Sequence, residues 1–317
     1  MYLDMHVLLA QPRGFCAGVD RAIEIVERAL QLYGAPVYVL HEIVHNRYVV
    51  DDLSSRGVVF VDALDDVPEG AVTIFSAHGV AEAIVQRGLA RRLRVIDATC
   101  PLVTKVHLQA QQYRREGREV VLIGHPGHPE VEGTRGRIDG PVYVLSTVEE
   151  VRALKVGDPE RLAYVTQTTL SVDDTREVID ALVARFPRIK GPELKDICYA
   201  TQNRQNSVKQ LSGEIDLLLV VGSKNSSNSN RLSELGLRSG VPSHLIDGAA
   251  NIDAAWLGNG MRIGVTAGAS APEKLVGEVL ARLRELGVTS VTELEGERET
   301  ITFRLPDFLQ HGRAGSA

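Results

Sequence analysis

Short apolar runs alternate along the chain with stretches in which apolar residues recur at helical spacing. The first pattern predicts β strands and the second predicts amphipathic helices. Strands are predicted at residues 6–10, 37–40, 71–75, 120–123, 162–165, 216–221 and 261–265. Because strands and helices alternate from one end to the other, the sequence predicts an α/β protein with mostly parallel sheets.

A cysteine stands where the first predicted strand gives way to the first predicted helix. This helix should begin near Ala17 and end at Gly34, directly after Cys16. A thiol at a helix N-terminus lies at the positive end of the peptide dipoles, which favours the metal-binding thiolate. The two other cysteines of the chain, Cys100 and Cys198, occupy the same kind of position.

Two polar loops follow each cysteine at similar distances. The first loop lies 28 or 29 positions after its cysteine and the second lies 62 to 72 positions after it; the residues concerned are His45 and His78, His128 and Thr168, and Ser226 and Ser270. This regularity predicts three similar α/β lobes at residues 1–100, 101–195 and 196–298. Residues 299–317 are predicted to form a C-terminal strand at 300–305 and a disordered tail at 311–317. Lobes arranged around a pseudo-threefold axis would bring the cysteines and polar loops to one centre.

Composition limits the classes of partner. The chain has 317 residues, 44% of them hydrophobic, and a net charge of −6. A negative charge argues against broad binding to nucleic acid or membranes, although a small anion needs only local donors. No apolar run reaches the roughly 18 residues of a membrane span, and the first residues lack the pattern of a secretion signal. We therefore expect a cytoplasmic protein.

The three cysteines leave several interpretations open. Free cysteines are often small buried hydrophobic residues, but their repeated position at strand-to-helix junctions favours chemistry. Structural zinc normally has four protein ligands with short paired spacings, which are absent here. An iron–sulfur cube with three thiolate ligands keeps one iron open, as a Lewis-acid catalyst requires. A three-cysteine cluster is therefore the best chemical match.

Residues 124–134 place a histidine and a carboxylate close together. His128 and Glu130 could face one pocket and relay protons, whereas the alternative is a solvated polar turn. If Glu130 is buried, desolvation raises its pKa and suits it to act as an acid near neutrality.

A loop rich in Ser and Asn follows the apolar strand at 216–221 and precedes a helix predicted to start near Arg231. Ser226, Ser227 and Asn228 in this loop, together with Ser270 in a similar loop, could cradle a diphosphate-sized anion. The alternative is a solvated turn with a helix cap. The sequence contains neither G-x-x-x-x-G-K-[ST] nor G-x-G-x-x-G, the glycine-rich motifs of nucleotide-binding loops. A nucleotide ligand is therefore disfavoured.

The segments that carry these residues closely resemble the 4-hydroxy-3-methylbut-2-enyl diphosphate reductase family. They are PRGFCAGVDRAI, HEIVHNRYVV, FSAHGV, DATCPLVTKVH, GHPGHPEVEGT, TQTTLSVDDT, DICYATQNRQ, GSKNSSNSNRL and TAGASAP. The resemblance extends from about residue 6 to about residue 305.

The resemblance implies that Cys16, Cys100 and Cys198 hold one central [4Fe–4S] cluster. It implies a set of substrate-binding residues, namely His45, His78, His128, Thr168, Ser226, Ser227, Asn228 and Ser270. Glu130 would be the proton donor, supported catalytically by His128 and Thr168.

The implied reaction is the two-electron reductive dehydroxylation of an allylic diphosphate to isopentenyl and dimethylallyl diphosphate, the last step of the methylerythritol phosphate route. Electrons would come from a separate carrier of the ferredoxin or flavodoxin type, and we expect a monomer. The alternative from a different class is a non-catalytic iron–sulfur redox sensor or binding protein, which would not need the polar loops.

Overall fold

The computed structural model describes residues 4–192 and 196–310. The strands are β1 (Met5–Leu9), β2 (Val37–Leu40), β3 (Val58–Val61), β4 (Val72–Phe75), β5 (Arg94–Asp97), β6 (Glu119–Ile123), β7 (Val142–Leu145), β8 (Leu162–Thr166), β9 (Leu217–Val221), β10 (Ser243–Ile246), β11 (Arg262–Ala267) and β12 (Val288–Glu293). The seven strands predicted between residues 6 and 265 are all present, so that part of the prediction is confirmed.

The α-helices are α1 (Ala17–Tyr33), α2 (Arg47–Ser55), α3 (Glu82–Ala90), α4 (Pro101–Arg115), α5 (Pro129–Arg135), α6 (Val148–Ala153), α7 (Val172–Arg185), α8 (Tyr199–Ser212), α9 (Ser227–Arg238), α10 (Glu273–Glu285) and α11 (Asp307–Gln310). The first of them begins and ends where the sequence predicts. None of the helices in the described ranges is both long enough and apolar enough to cross a membrane.

The strands form three sheets, and every neighbouring pair is parallel. Their orders are β3-β2-β4-β5, β7-β6-β8 and β10-β9-β11-β1-β12. The predicted α/β fold with parallel sheets is therefore confirmed. In each sheet the first strand of a consecutive set of three lies between the second and the third. This shared order agrees with three similar lobes, although the lobe boundaries stay a prediction.

Strand β1 joins a sheet built otherwise from the last third of the chain. Its neighbours are β11 and β12, with Val7 opposite Ile263 and Val291. The N-terminal strand therefore completes a sheet far away in sequence, which spacing along the chain did not indicate.

Close contacts divide the chain into two compact units. The first unit comprises Met1–Ala17, His45–Asp51 and Tyr199–Ile301, and contains the five-stranded sheet. The second unit comprises Gly18–Val44, Asp52–Cys198 and Thr302–Ala317, and contains the other two sheets.

Three strands are buried along their whole length. Every residue of β4, β8 and β9 is buried. Parallel sheets are covered on both faces, so their inner strands are continuously apolar rather than alternating. Strand β9 shows this directly: Leu217, Leu219 and Val221 pack into one apolar core, and Leu218 and Val220 pack into another. The rigid strands fix where the loops at their ends begin.

Two local predictions are wrong. Residues 300–305 alternate in polarity as a strand would, but they form no strand, because a strand requires a paired neighbour and no described strand pairs with them. Helix α9 begins at Ser227 rather than near Arg231, because Ser226 caps it by accepting a hydrogen bond from the Ser229 N–H. The predicted disordered tail at 311–317 lies outside the described residues.

Candidate functional site

In each sheet the chain order reverses between the first and third strands of the consecutive set of three. At such a point the connections after two adjacent strands lead to opposite sides, which leaves a crevice where α/β proteins bind ligands. The adjacent pairs are β2 and β4, β6 and β8, and β9 and β11. The loops that follow these strands carry, in the same order, His45, His78, His128, Thr168, Ser226 and Ser270. Topology thus gives a physical reason for the polar loops.

Each cysteine is half-buried and directly precedes a helix, as the sequence predicts. The backbone N–H of Cys16 donates to the carbonyl of Ala269 (3.2 Å), and that of Cys100 donates to the carbonyl of Ala77 (3.0 Å). The N–H of Cys198 donates to the carbonyl of Thr168 (3.1 Å). In all three cases the acceptor lies two residues beyond the end of a strand, namely β11, β4 or β8. The backbone at all three cysteines is therefore held by the same type of hydrogen bond.

These surroundings fit thiolate ligands. A partly accessible thiol at a helix N-terminus is stabilised as the thiolate, which is the form that binds iron–sulfur clusters. Across residues 4–192 and 196–310, no three His, Cys, Asp or Glu side chains converge in the manner required to hold one metal ion.

Glu130 is a buried carboxyl group in the second unit, with only 3% of its surface exposed. Thr168 donates two hydrogen bonds to it, from its N–H to Oε1 (2.6 Å) and from its hydroxyl to Oε2 (2.9 Å). Burial raises the pKa of Glu130 to about 7; the bonds from Thr168 oppose that rise, and the charge of Asp196 adds to it. Glu130 can therefore hold or release a proton near neutral pH.

Two histidines lie beside this acid. The Nδ1 atom of His128 accepts a hydrogen bond from the Glu130 N–H (3.1 Å), so His128 caps the short helix α5. The rings of His78 and His128 meet edge to face, with centroids 5.9 Å apart. Nδ1 of His78 lies 3.2 Å from the Ser76 hydroxyl oxygen. The second unit thus brings together His78, His128, Glu130 and Thr168, all four of which the sequence singled out.

A cluster of hydroxyl groups lies at the N-terminus of α9 in the first unit. The Ser229 hydroxyl donates to Oγ of Ser226 (3.0 Å), and Oγ of Ser270 lies 3.5 Å from Oγ of Ser226. The Ser270 hydroxyl also donates to the carbonyl of His45 (2.9 Å). The first unit therefore gathers His45, Ser226 and Ser270, with Ser227 and Asn228 in the first turn of the helix.

Asn228 is the clearest sign that this cluster has room for a ligand. It is 4% exposed, and neither its amide nitrogen nor its amide oxygen has a hydrogen-bond partner among the described residues. Buried polar groups are normally paired, so such a group requires an explanation. Two glycines keep the backbone close by, since a Cβ on either Gly222 or Gly268 would overlap the Ser229 hydroxyl oxygen. Neutral donors at a helix N-terminus form a cradle suited to an anion.

Sequence reasoning missed Ser229 and Asp196. Ser229 is fully buried within the hydroxyl cluster, and Asp196 is buried two residues before Cys198. Burial also raises the pKa of Asp196. The sequence signal for Asp196 is an acidic residue close to the candidate ligand Cys198. The sequence signal for Ser229 is the N-terminus of α9, which the prediction places near Arg231, four residues after the observed start at Ser227.

Taken together, these features describe one kind of protein: an α/β protein whose strand-end loops carry thiols suited to a metal cluster, a buried acid and an anion cradle. The LytB protein family model matches residues 7–284, and the chain belongs to that family.

Curated relatives agree over nearly the whole chain. A protein of Bordetella bronchiseptica is 63% identical over 306 residues, covering 96% of this chain and 94% of its own. One of Stenotrophomonas maltophilia is 61% identical over 311 residues, covering 96% and 98%. Both are named 4-hydroxy-3-methylbut-2-enyl diphosphate reductase. The resemblance seen in the sequence is thereby confirmed.

Solved structures agree as well. The E-1-hydroxy-2-methyl-but-2-enyl-4-diphosphate reductase of Plasmodium falciparum matches with a TM-score of 0.92 and 36% identity, covering 98% of each chain. A second structure, described as (E)-4-hydroxy-3-methyl-but-2-enyl diphosphate reductase, the terminal enzyme of the non-mevalonate pathway, matches with a TM-score of 0.64 and 35% identity. The match covers 90% of this chain and 100% of the chain in that structure.

The raised pKa of Glu130 predicts how stability depends on pH. The folded protein keeps this proton up to pH about 7, whereas the unfolded chain releases it near 4.5. The folded state therefore binds more protons in this window, and the free energy of unfolding falls as pH rises. Between pH 4.5 and pH 7, the free energy of unfolding of the wild type should fall by about 3 kcal/mol more than that of Glu130→Gln.

Urea unfolding of the metal-free proteins at steps of pH from 4.5 to 7.5 measures this difference. Glu132→Gln, which removes an exposed carboxyl group from the same helix, is the matched control. Parallel curves for the wild type and Glu130→Gln would contradict the assignment.

Proposed function

We propose that this chain reduces 4-hydroxy-3-methylbut-2-enyl diphosphate to isopentenyl and dimethylallyl diphosphate. Family membership, and relatives at 61% to 63% identity that are named for this reductase, support the activity. The single structural observation that carries the proposal is Glu130, a buried acid with a pKa of about 7 held by Thr168. A reductive dehydroxylation needs such an acid, because the hydroxyl group must leave as water.

The LytB family is an iron–sulfur enzyme family, and we propose one [4Fe–4S] cluster with Cys16, Cys100 and Cys198 as its ligands. The half-buried position of each cysteine at a helix N-terminus supports this assignment. When bound, such a cluster supplies electrons singly and a Lewis-acidic iron.

The hydroxyl cluster of the first unit is the proposed holder of the diphosphate. Its residues are His45, Ser226, Ser227, Asn228 and Ser270. The amide of Asn228 and the N–H groups of the first turn of α9 are neutral donors suited to an anion. Neutral donors hold a diphosphate without the strong charge compensation that would promote cleavage of its bonds. In the second unit, His78, His128 and Thr168 are the proposed polar contacts of the substrate.

Glu130 is the proposed proton donor. The substrate takes up two electrons and two protons; its allylic C–O bond breaks, one C–H bond forms, and one water leaves. At neutral pH a large fraction of Glu130 is protonated, and Thr168 fixes both carboxyl oxygens. His128 holds the backbone N–H of Glu130 and so orients the start of α5. These groups deliver the proton that allows the oxygen to depart.

The electron donor is proposed to be a separate one-electron carrier of the ferredoxin or flavodoxin type. Support comes from the absence of the nicotinamide-binding glycine motif in the sequence. A cytoplasmic location and a monomeric state stay predictions.

Anaerobic turnover with the diphosphate substrate and a chemical reductant tests the proposed activity. The cluster-replete protein should convert the substrate, and Cys100→Ser should lose both iron and turnover. No conversion by cluster-replete protein would favour a redox sensor instead. Zinc without iron or sulfide in metal analysis would exclude the proposed cluster.

Substitution Glu130→Gln should lower kcat by about 100-fold or more, the range for loss of a general acid. Iron and sulfide content should not change, because Glu130 is not a proposed ligand. Glu132→Gln on the same helix serves as the control and should turn over normally. Full activity of Glu130→Gln would place the acid elsewhere.

Substitution Gly268→Ala should weaken diphosphate binding. The added Cβ would overlap Oγ of Ser229 and lie 3.5 Å from Nδ2 of Asn228, so the hydroxyl cluster must shift. Inhibition by inorganic pyrophosphate should weaken about tenfold, the equivalent of one lost hydrogen bond. The control is Gly277→Ala in α10 of the same unit, where an added Cβ meets nothing within 4 Å. Equal inhibition of both variants would argue against this cradle.

A further inference from the structure

Three cations occupy corresponding positions on the helices that follow the three cysteines. Arg21 lies on α1 five residues after Cys16, and Lys105 lies on α4 five residues after Cys100. Arg204 lies on α8 six residues after Cys198. Each contacts the segment directly before a different cysteine.

Arg21 holds the backbone that leads to Cys100. Its Nη1 donates to the carbonyl of Thr99 (3.1 Å) and lies 3.4 Å from the carbonyl oxygen of Ala98. Its Nε donates to the carbonyl of Arg304 (2.9 Å), which fixes the guanidinium group from the other side. The side chain therefore holds both residues before this cysteine.

Arg204 does the same for Cys16. Its Nε and Nη2 donate to the carbonyl of Gly14 (3.0 and 2.7 Å), and Nη2 also donates to that of Phe15 (3.2 Å). Arg204 is fully buried, and its charge is balanced by Glu299 at 2.9 Å. A guanidinium group that pairs with one carboxylate still has donors left for carbonyl groups.

Lys105 reaches the segment before Cys198 through a side chain rather than a carbonyl. Its Nζ lies 3.8 Å from Oδ1 of Asp196, and this carboxylate stands two residues before the cysteine. Oδ2 of Asp196 lies 3.4 Å from the Thr166 nitrogen, whose N–H donates to it. The contact is looser than those of the arginines, but it joins the corresponding positions of the repeat.

A purely structural explanation is that each cation satisfies nearby carbonyl or carboxylate oxygens. That explanation gives no reason for a contact at the same position, two residues before a cysteine, to recur in three segments of different sequence. We propose that Arg21, Lys105 and Arg204 are positioning residues that fix the backbone turns presenting the three thiolates. The inference rests on the cluster of the proposed function and deepens it.

Two consequences follow from this arrangement. Each helix begins at one cysteine and holds another, so disorder at one ligand should loosen the next. Groups outside the ligand shell that orient metal ligands typically change metal affinity by about 10- to 100-fold.

Anaerobic release of iron to a chelator tests this inference on the cluster-replete protein. Arg21→Gln and Lys105→Gln should each release iron about tenfold faster than the wild type. Lys105→Arg should restore slow release because it keeps the charge. Arg28→Gln on α1, where the side chain is about half exposed, is the matched control and should behave as the wild type. The EPR spectrum of the reduced cluster should change in the two glutamine variants and not in the control.

Thermal unfolding of the metal-free variants distinguishes positioning from general stability. The Tm of Arg21→Gln and Lys105→Gln should shift no more than that of Arg28→Gln. Wild-type release rates and spectra in both glutamine variants would overturn the inference, as would faster release that only parallels a lower Tm. A wild type that binds no iron–sulfur cluster would instead overturn the proposed function from which the inference starts.

Discussion

The candidate site is built on parallel strand pairing with one repeated strand order. Each sheet contains three consecutive strands of which the first lies between the second and the third, so two loops diverge at the carboxyl ends of adjacent strands. The backbone there has left the sheet, and its N–H and C=O groups must find other partners. The carbonyl groups of Ala77, Thr168 and Ala269 are such cases, and each accepts a hydrogen bond from the N–H of a cysteine. The sheets therefore set the positions of the thiols.

The two units differ in the electrostatic surroundings of their buried polar groups. In the second unit a carboxyl group is buried and keeps its proton near neutrality, since desolvation outweighs the two hydrogen bonds from Thr168. In the first unit neutral hydroxyl and amide groups surround a helix N-terminus. Holding a proton requires a low dielectric constant, whereas holding an anion requires donors. The surroundings in the first unit therefore suit an anion, and those in the second unit suit a group that keeps its proton.

The C-terminal segment shows how a local pattern can mislead. Residues 300–305 alternate in polarity, but the backbone has no strand partner in the described chain. Two residues near the ends of this segment accept hydrogen bonds from cations instead. The Glu299 carboxylate pairs with Arg204, and the carbonyl of Arg304 accepts a hydrogen bond from Arg21. The segment is held by side chains of helices instead of by a ladder of hydrogen bonds.

Local periodicity and intact motifs were enough to predict seven of the twelve strands in the described residues, the helix after Cys16, the family and the residues of the polar loops. Three features could be seen only in the folded chain: β1 completes a sheet from the last third of the sequence, Glu130 is buried against Thr168, and Arg204 reaches Gly14. Each of these joins residues far apart in sequence. Burial and strand pairing depend on the whole fold, so no single segment carries a signal for them.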